Sequence, residues 1–317
     1  MPQYSRNELD ITAHSLGFTR DTFEKVLRLK EVLAWIESQS FLRDHLLLKG
    51  GTAINLTIFN LPRLSVDIDM DFTPSMAKRE MLAVRGTISD EIKSYMEAEG
   101  YMLSSASRFH HSLDAFHFSY RNAAGNPDMI KLELNYSLRA HVLPPVERNL
   151  VTDVFGGNPL IRTVDPLEIF SAKANALLSR AAARDLYDFT LMAERDLFHD
   201  RRDLFRKCIV FYASITQETL DPSFSTSAID KLTLNTVRRD LFPVLNHQER
   251  HQAFDLESKK TIAKNYLHSM LVLDESEQEY LSRFMGKEYR PELLFSDSDI
   301  IQRIADHPMA LWKCRSS

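Results

Sequence analysis

Hydrophobic spacing along the chain changes twice. After Asp21, apolar residues recur at Phe23, Val26, Leu27, Val32, Leu33 and Ile36, the spacing of an amphipathic helix. Asp21-Thr22-Phe23-Glu24 reads as its capping box. Leu46-Leu47-Leu48 is a short apolar run, read as a buried strand, and stops at Lys49-Gly50-Gly51; residues 52–60 can then form a short helix. From Val66 to Phe72 apolar and acidic residues alternate, which predicts a strand. Residues 76–99 return to helical spacing and end at Gly100. Strands are predicted over 101–106, 115–120 and 129–138, with a turn cluster at 123–127. Residues 141–159 carry no period and read as loop. From Asp165 onward the spacing is almost wholly helical, with Asp165 as N-cap and Pro166 in the first turn.

This order predicts an α+β protein. An N-terminal domain over 1–160 holds a mixed sheet flanked by helices, and an α-helical domain follows over 161–317. A chain of 317 residues is long enough to bury cores for both. Charge narrows the function classes. With 39 basic and 44 acidic residues the net charge is −5, which argues against coating nucleic acid through bulk charge but leaves room for a local basic groove. Two cysteines, Cys208 and Cys314, make neither a disulfide framework nor a zinc site. No apolar run approaches the roughly 18 residues of a membrane span, and the first residues lack the pattern of a secretory signal. The expectation is a reduced, cytoplasmic protein with no membrane partner.

Candidate chemistry concentrates in Lys49-Gly50-Gly51-Thr52 and in Arg63-x-Ser65-x-Asp67-x-Asp69. Strand alternation sends Asp67, Asp69 and Asp71 to one face, where they repel one another unless solvated or neutralised by cations. Such an oxygen-rich cluster suits Mg²⁺, a hard ion that often combines one or two carboxylates with substrate phosphates. Gly50 and Gly51 ahead of a helix let the backbone approach a phosphate, with the helix-start N–H groups and the Thr52 hydroxyl as donors. Either feature alone is ordinary, a plain turn or a solvated strand face. Together, with Arg63 and Ser65 between them, they form the minimum kit for metal-assisted phosphoryl or nucleotidyl transfer. Walker and Rossmann glycine patterns are absent, as is a nucleophile-elbow serine, and neither cysteine sits in a motif. His14, His45, His110, His111 and His117 form no ligand constellation.

This combination resembles the AbiEii family of nucleotidyltransferase toxins, within the DNA polymerase β-like nucleotidyltransferase superfamily. The superfamily signature is a Gly-Gly or Gly-Ser turn, a spacer, Asp-x-Asp and a third carboxylate on a later strand. Glu133 in Ile130-Lys131-Leu132-Glu133 best matches that third position, and Asp71 competes for it. A second block, Glu168…Lys173…Arg180…Arg184-Asp185-x-x-Asp188, looks like the family's later motif. On one helix Lys173, Arg180, Arg184 and Asp188 would share a stripe, with Asp185 off it. The resemblance implies two Mg²⁺ ions held by Asp67, Asp69 and Glu133, with the NTP phosphates at Gly50, Gly51 and Thr52. It also implies Lys173 on the triphosphate and Asp188 in an orienting or catalytic role. Arg63, Ser65, Arg180 and Arg184 are further nucleotide-binding candidates, and Ser65 is alternatively a target of modification that would shut the site.

The family further implies an RNA acceptor, with the tRNA 3′ end as the leading choice, growth arrest as the outcome, and a cognate antitoxin as partner. Two alternatives stay open: a transferase acting on a protein or small molecule, and a catalytically inactive binding protein on the same fold.

Overall fold

The computed structural model describes residues 4–150, 159–251 and 254–315. The chain forms two compact units. One comprises Met1–Arg139, Pro145–Thr163 and Pro243–Gln252; the other comprises Ala140–Pro144, Val164–Phe242 and Ala253–Ser317.

The first unit begins with α1 (Arg6–Ser15) and α2 (Arg20–Ser38). Thr19, rather than Asp21, is the N-cap of α2. Asp21 pairs with Arg20 at the helix start, and Glu24, which completed the expected capping box, is buried and bonded to Arg28 at 2.7 Å. A short α3 (Ser40–His45) leads into β1 (Leu46–Lys49) and then α4 (Gly50–Ala53). The coil continues through Ile54–Ile58 and widens there, with Phe59 N donating five residues back to Ile54 O at 2.8 Å. Next come β2 (Asp67–Phe72) and α5 (Lys78–Ala98), after which Gly100 takes φ +82° as the helix stop.

Four strands follow: β3 (Met102–Leu103), β4 (Arg108–His110), β5 (Leu113–Arg121) and β6 (Pro127–Asn135). The strand expected over 101–106 is therefore only two residues long, and the chain pairs again at β4, where no strand was expected. The loop expected over 141–159 holds β7 (Val146–Asn149), which pairs with β8 (Leu160–Thr163); its residues 151–158 lie outside the described residues. The four-residue Val-Glu-Arg-Asn of β7 is too short to show a period against its surroundings.

Among the described residues these strands form one mixed sheet in the order β3-β5-β6-β2-β1-β8-β7, with β4 also on β5. Strands β2 and β6 run parallel, and both β1–β2 and β5–β6 are antiparallel. One face is apolar: Ile68, Met70 and Phe72 of β2, Ile130, Leu132 and Leu134 of β6, and Phe116, Phe118 and Tyr120 of β5 are all buried. Helices α2 and α5 cover it. Arg28 of α2 lies over the Tyr120 ring, Arg85 of α5 bonds Asp114 of β5, and Trp35 stacks on Tyr95 at 3.8 Å between the two helices. The alternate residues of β2, β5 and β6 therefore face the other way.

The second unit is helical. It contains α6 (Pro166–Ser179), α7 (Ala183–Glu194), α8 (Arg202–Thr216), α9 (Ser227–Asp230) and α10 (Leu234–Asp240). After α11 (His247–His251), which belongs to the first unit, come α12 (Leu256–Met270), α13 (Glu275–Met285), α14 (Ser298–Ile304) and α15 (Pro308–Arg315). Asp165 caps α6 by accepting from Leu167 N at 2.8 Å, with Pro166 at the first helical position. The apolar side of α8 packs against α6, α13 and α15. Buried Glu168 accepts from Val142 N and Leu143 N, both at 2.9 Å, and from the Tyr212 hydroxyl, which ties residues 140–144 to this unit. Among the described residues no helix is long and apolar enough to cross a membrane.

Candidate active site

The glycine turn and the acidic strand are joined residue by residue. Lys49 is the register partner of Asp69, and its ammonium bonds the Asp71 carboxylate. Gly50 sits at φ +68°, and a Cβ there would stand 2.6 Å from Asp69 Oδ2. A Cβ on Gly51 would meet Arg63 Nη2 at 2.8 Å and Ser65 Oγ at 3.0 Å. Thr52 donates its hydroxyl to the Asp67 main-chain oxygen. Two segments separated in sequence thus form one compact piece: Gly50 is where the acidic strand, and Gly51 where the Arg63–Ser65 segment before it, comes too close for a side chain.

The strand order supplies the next carboxylate. Parallel pairing sets Asp69 opposite Glu133 and Asp67 opposite Lys131. Cross-strand partners share a face, so Asp67, Asp69, Lys131 and Glu133 all project from the side away from α2 and α5. Asp71, the competing third carboxylate, is 3% exposed and engaged by Lys49, which leaves Glu133 beside Asp69. Burial pushes the Asp69 carboxyl up to about 6; Lys49 opposes this, while the charges of Glu133 and Asp67 add to it, and Glu133 adds further by accepting a hydrogen bond from the protonated Asp69 carboxyl. Lys131 lies 2.9 Å from Glu133. Burial lowers the Lys131 pKa, but Glu133, Asp67 and Asp69 outweigh it and hold the ammonium above its usual range.

By type the donors, all carboxylate oxygens, are those a hard divalent cation prefers. Asp67, Asp69 and Glu133 share this face beside the Lys49-bound Asp71; burial first, and the neighbouring carboxylates second, disfavour the charged form of Asp69, a cost that a bound proton or a cation would relieve. Among the described residues no group of three or more His, Cys, Asp or Glu side chains is gathered for a metal ion, and Lys131 occupies Glu133.

Three of the expected phosphate contacts serve the frame. The Thr52 hydroxyl is spent on the strand and the residue is fully buried. Arg63 is 1% exposed and donates to Leu64 O at 2.9 Å, while its backbone bridges to Leu245. Ser65 is buried against Gly51.

In the second unit the expected single stripe does not form. The helix breaks after Ser179, Ala181 takes φ +44°, and α7 restarts at Ala183. The break brings Asp185, expected off the stripe, to 2.7 Å from Lys173, with Asp188 at 2.9 Å on the same ammonium. Arg180 is 76% exposed, 3.9 Å from Asp185. Arg184 donates to the Asp240 main-chain oxygen at 2.7 Å.

Sequence reasoning passed over His117. The register β2–β6–β5 puts Asp67, Lys131 and His117 in one row on the carboxylate face, and the buried Nδ1 of His117 has no hydrogen-bond partner. Only the pairing of β5 with β6 could have revealed it, since the nearest acid in the chain, Asp114, lies on the opposite face of β5 and pairs with Arg85.

The first unit thus holds a glycine turn against carboxylates on adjacent strands of a mixed sheet. The family described as nucleotidyl transferase AbiEii toxin, type IV toxin–antitoxin system, matches residues 32–272, and the chain belongs to it. Among solved structures the fold is similar to MenT4, a nucleotidyltransferase toxin from Mycobacterium tuberculosis H37Rv, with a TM-score of 0.65 and 16% identity over 99% of this chain and 100% of that one. A search of curated proteins finds no match.

Proposed function

We propose that this toxin transfers a nucleotidyl group from an NTP to an RNA acceptor, the tRNA 3′ end, and so arrests growth until a cognate antitoxin opposes it. The observation that carries the reading is the meeting of Gly50, Asp69 and Glu133 on three neighbouring pieces of backbone. In the proposed reaction the acceptor hydroxyl oxygen bonds to the α-phosphorus, the bridging α–β P–O bond breaks, and pyrophosphate leaves. The backbone of Gly50–Gly51 receives the NTP phosphates. Asp67, Asp69 and Glu133 would hold Mg²⁺, two ions in the reading. When bound, that metal supplies charge neutralisation and a more acidic acceptor hydroxyl. Glu133 would complete the second metal site or, in its place, take the hydroxyl's proton. Lys49 keeps Asp71 neutralised and the turn fixed on β2. In the second unit, Lys173 is assigned to the charge that builds on pyrophosphate, with Asp185 and Asp188 orienting it.

The test is transfer of label from each of the four NTPs to total RNA, purified tRNA and total protein, with and without Mg²⁺. The expected product is labelled tRNA, lost in Asp67→Ala and Asp69→Asn. Label in protein alone, or turnover that survives both substitutions, overturns the reading.

A further inference from the structure

The carboxylate face of the sheet does not end at Glu133. Moving outward from β2, the register carries three parallel rows. Asp69, Glu133, Ala115 and Arg108 form one, Asp67, Lys131 and His117 the next, and Met129, Ser119 and Met102 the third. Members of a row project from the same face. Beyond Asp67 the second row is basic or hydrogen-bonding: Lys131, which also pairs with Glu133, stands beside the half-buried His117, whose Nδ1 is buried without a hydrogen-bond partner. The third is apolar and open: Met102 is 67% exposed and Met129 37%. Ser119 fixes it by donating to Met102 O at 3.2 Å, which holds the two-residue β3 on the edge of β5. A donor row followed by an apolar shelf matches the two halves of a nucleotide, its phosphate and its base. Bases rest on flat apolar surfaces largely without regard to sequence.

The side of the carboxylates settles which nucleotide. Strand order is β5-β6-β2-β1, and the glycine turn follows β1. The turn and Glu133 therefore lie on opposite sides of Asp69 in the sheet. In an in-line displacement the attacking and leaving oxygens are on opposite sides of the phosphorus. With the leaving pyrophosphate toward the turn, the attacking nucleotide enters from the β6–β5 side.

We infer that the open face of β6, β5 and β3 seats the 3′-terminal nucleotide of the RNA acceptor, with His117 and Lys131 on its phosphate and Met102 and Met129 under its base. This rests on the transfer reaction proposed above. On that basis His117 is a positioning residue and Met102 and Met129 are a binding surface.

The test is the Mg²⁺-dependent transfer of label to tRNA by His117→Gln, Met102→Ser and Met129→Ser, with KM measured separately for tRNA and for the NTP. Each variant is expected to raise the KM for tRNA about five- to tenfold and leave the KM for the NTP unchanged. Met102 is exposed enough that its substitution cannot unfold the chain, and thermal melts check the other two. Wild-type protein that labels no RNA overturns the transfer reading and this inference with it. Wild-type labelling of tRNA with unchanged tRNA KM in all three variants overturns the shelf alone. A raised KM for the NTP only would assign this face to the incoming nucleotide and overturn the acceptor assignment.

Discussion

Gly50→Ala probes the join between the glycine turn and the acidic strand. The substitution adds one carbon at a residue with φ +68°, 2.6 Å from Asp69 Oδ2. Two costs follow and they are separable. The left-handed backbone penalises any Cβ by roughly 1–2 kcal/mol. The contact is well inside van der Waals distance, so Asp69 must swing away from the turn or the turn must leave β2. Either movement displaces a carboxylate by close to 1 Å, and a misplacement of that size can cost about 100-fold in rate. Gly125 isolates the first cost: it has φ +83°, and a Cβ there meets nothing within 4 Å. Gly125→Ala should therefore lose about 1 kcal/mol in urea unfolding and keep wild-type label transfer. Gly50→Ala should lose at least that much stability and about 100-fold in transfer. Equal activity of the two variants would refute the claim that the glycine exists to admit Asp69.

Four more outcomes follow from the same geometry. Gly86 lies inside α5, and a Cβ there would meet nothing within 4 Å, so Gly86→Ala should raise stability by about 1 kcal/mol, read as an increase in urea midpoint. Lys49→Met leaves the buried Asp71 carboxylate without its ammonium and should cost about 3 kcal/mol in the same assay. Glu37 is pushed up to about 7 by burial, against the bond it accepts from Arg162 N at 2.9 Å. The folded state therefore holds the proton more tightly than the unfolded chain, and this stabilisation is complete below about pH 4.5 and lost as pH rises through 7. Wild type should lose stability relative to Glu37→Gln over that window, at up to about 1.4 kcal/mol per pH unit, and parallel pH profiles would refute it. Finally, Lys173→Met and Asp188→Asn should be less than additive by at least about 1 kcal/mol in a double-mutant cycle, since each removes the other's partner at 2.9 Å.

How much the sequence revealed depended on whether the signal was local. The β2 alternation and the Gly-Gly turn were legible because period and turn chemistry are written in consecutive residues. The α+β order was legible for the same reason. Glu133 was readable as a candidate because the resemblance calls for a third carboxylate on a later strand, and the alternation of β6 gave its face, but its place beside Asp69 comes from parallel pairing. His117 was invisible because its meaning depends on two successive registers. Asp185 was misjudged because a continuous helix was assumed; the left-handed Ala181 breaks it, and no glycine or proline announces that break. Thr52 was assigned to a phosphate from its position after the glycines, yet its hydroxyl closes onto Asp67 O because β2 passes directly beside it.

The apolar face of the sheet is what makes the acidic face accurate. Pairing in β2–β6 is fixed by Ile68 against Leu132 and Met70 against Leu134, four buried side chains facing α2 and α5. A slip of β6 by one residue would carry Leu132 or Leu134 to the carboxylate side and bury Lys131 and Glu133 among apolar neighbours. The cost of burying those charges far exceeds any local gain, so the core selects one register. That register sets Glu133 opposite Asp69 and, one strand further, Ala115 opposite Glu133. The small Ala115 leaves the face low next to Glu133, on the side where the acceptor shelf begins. Hydrophobic burial on one side of three strands thus fixes the positions of charged groups on the other, without those groups having to attract one another.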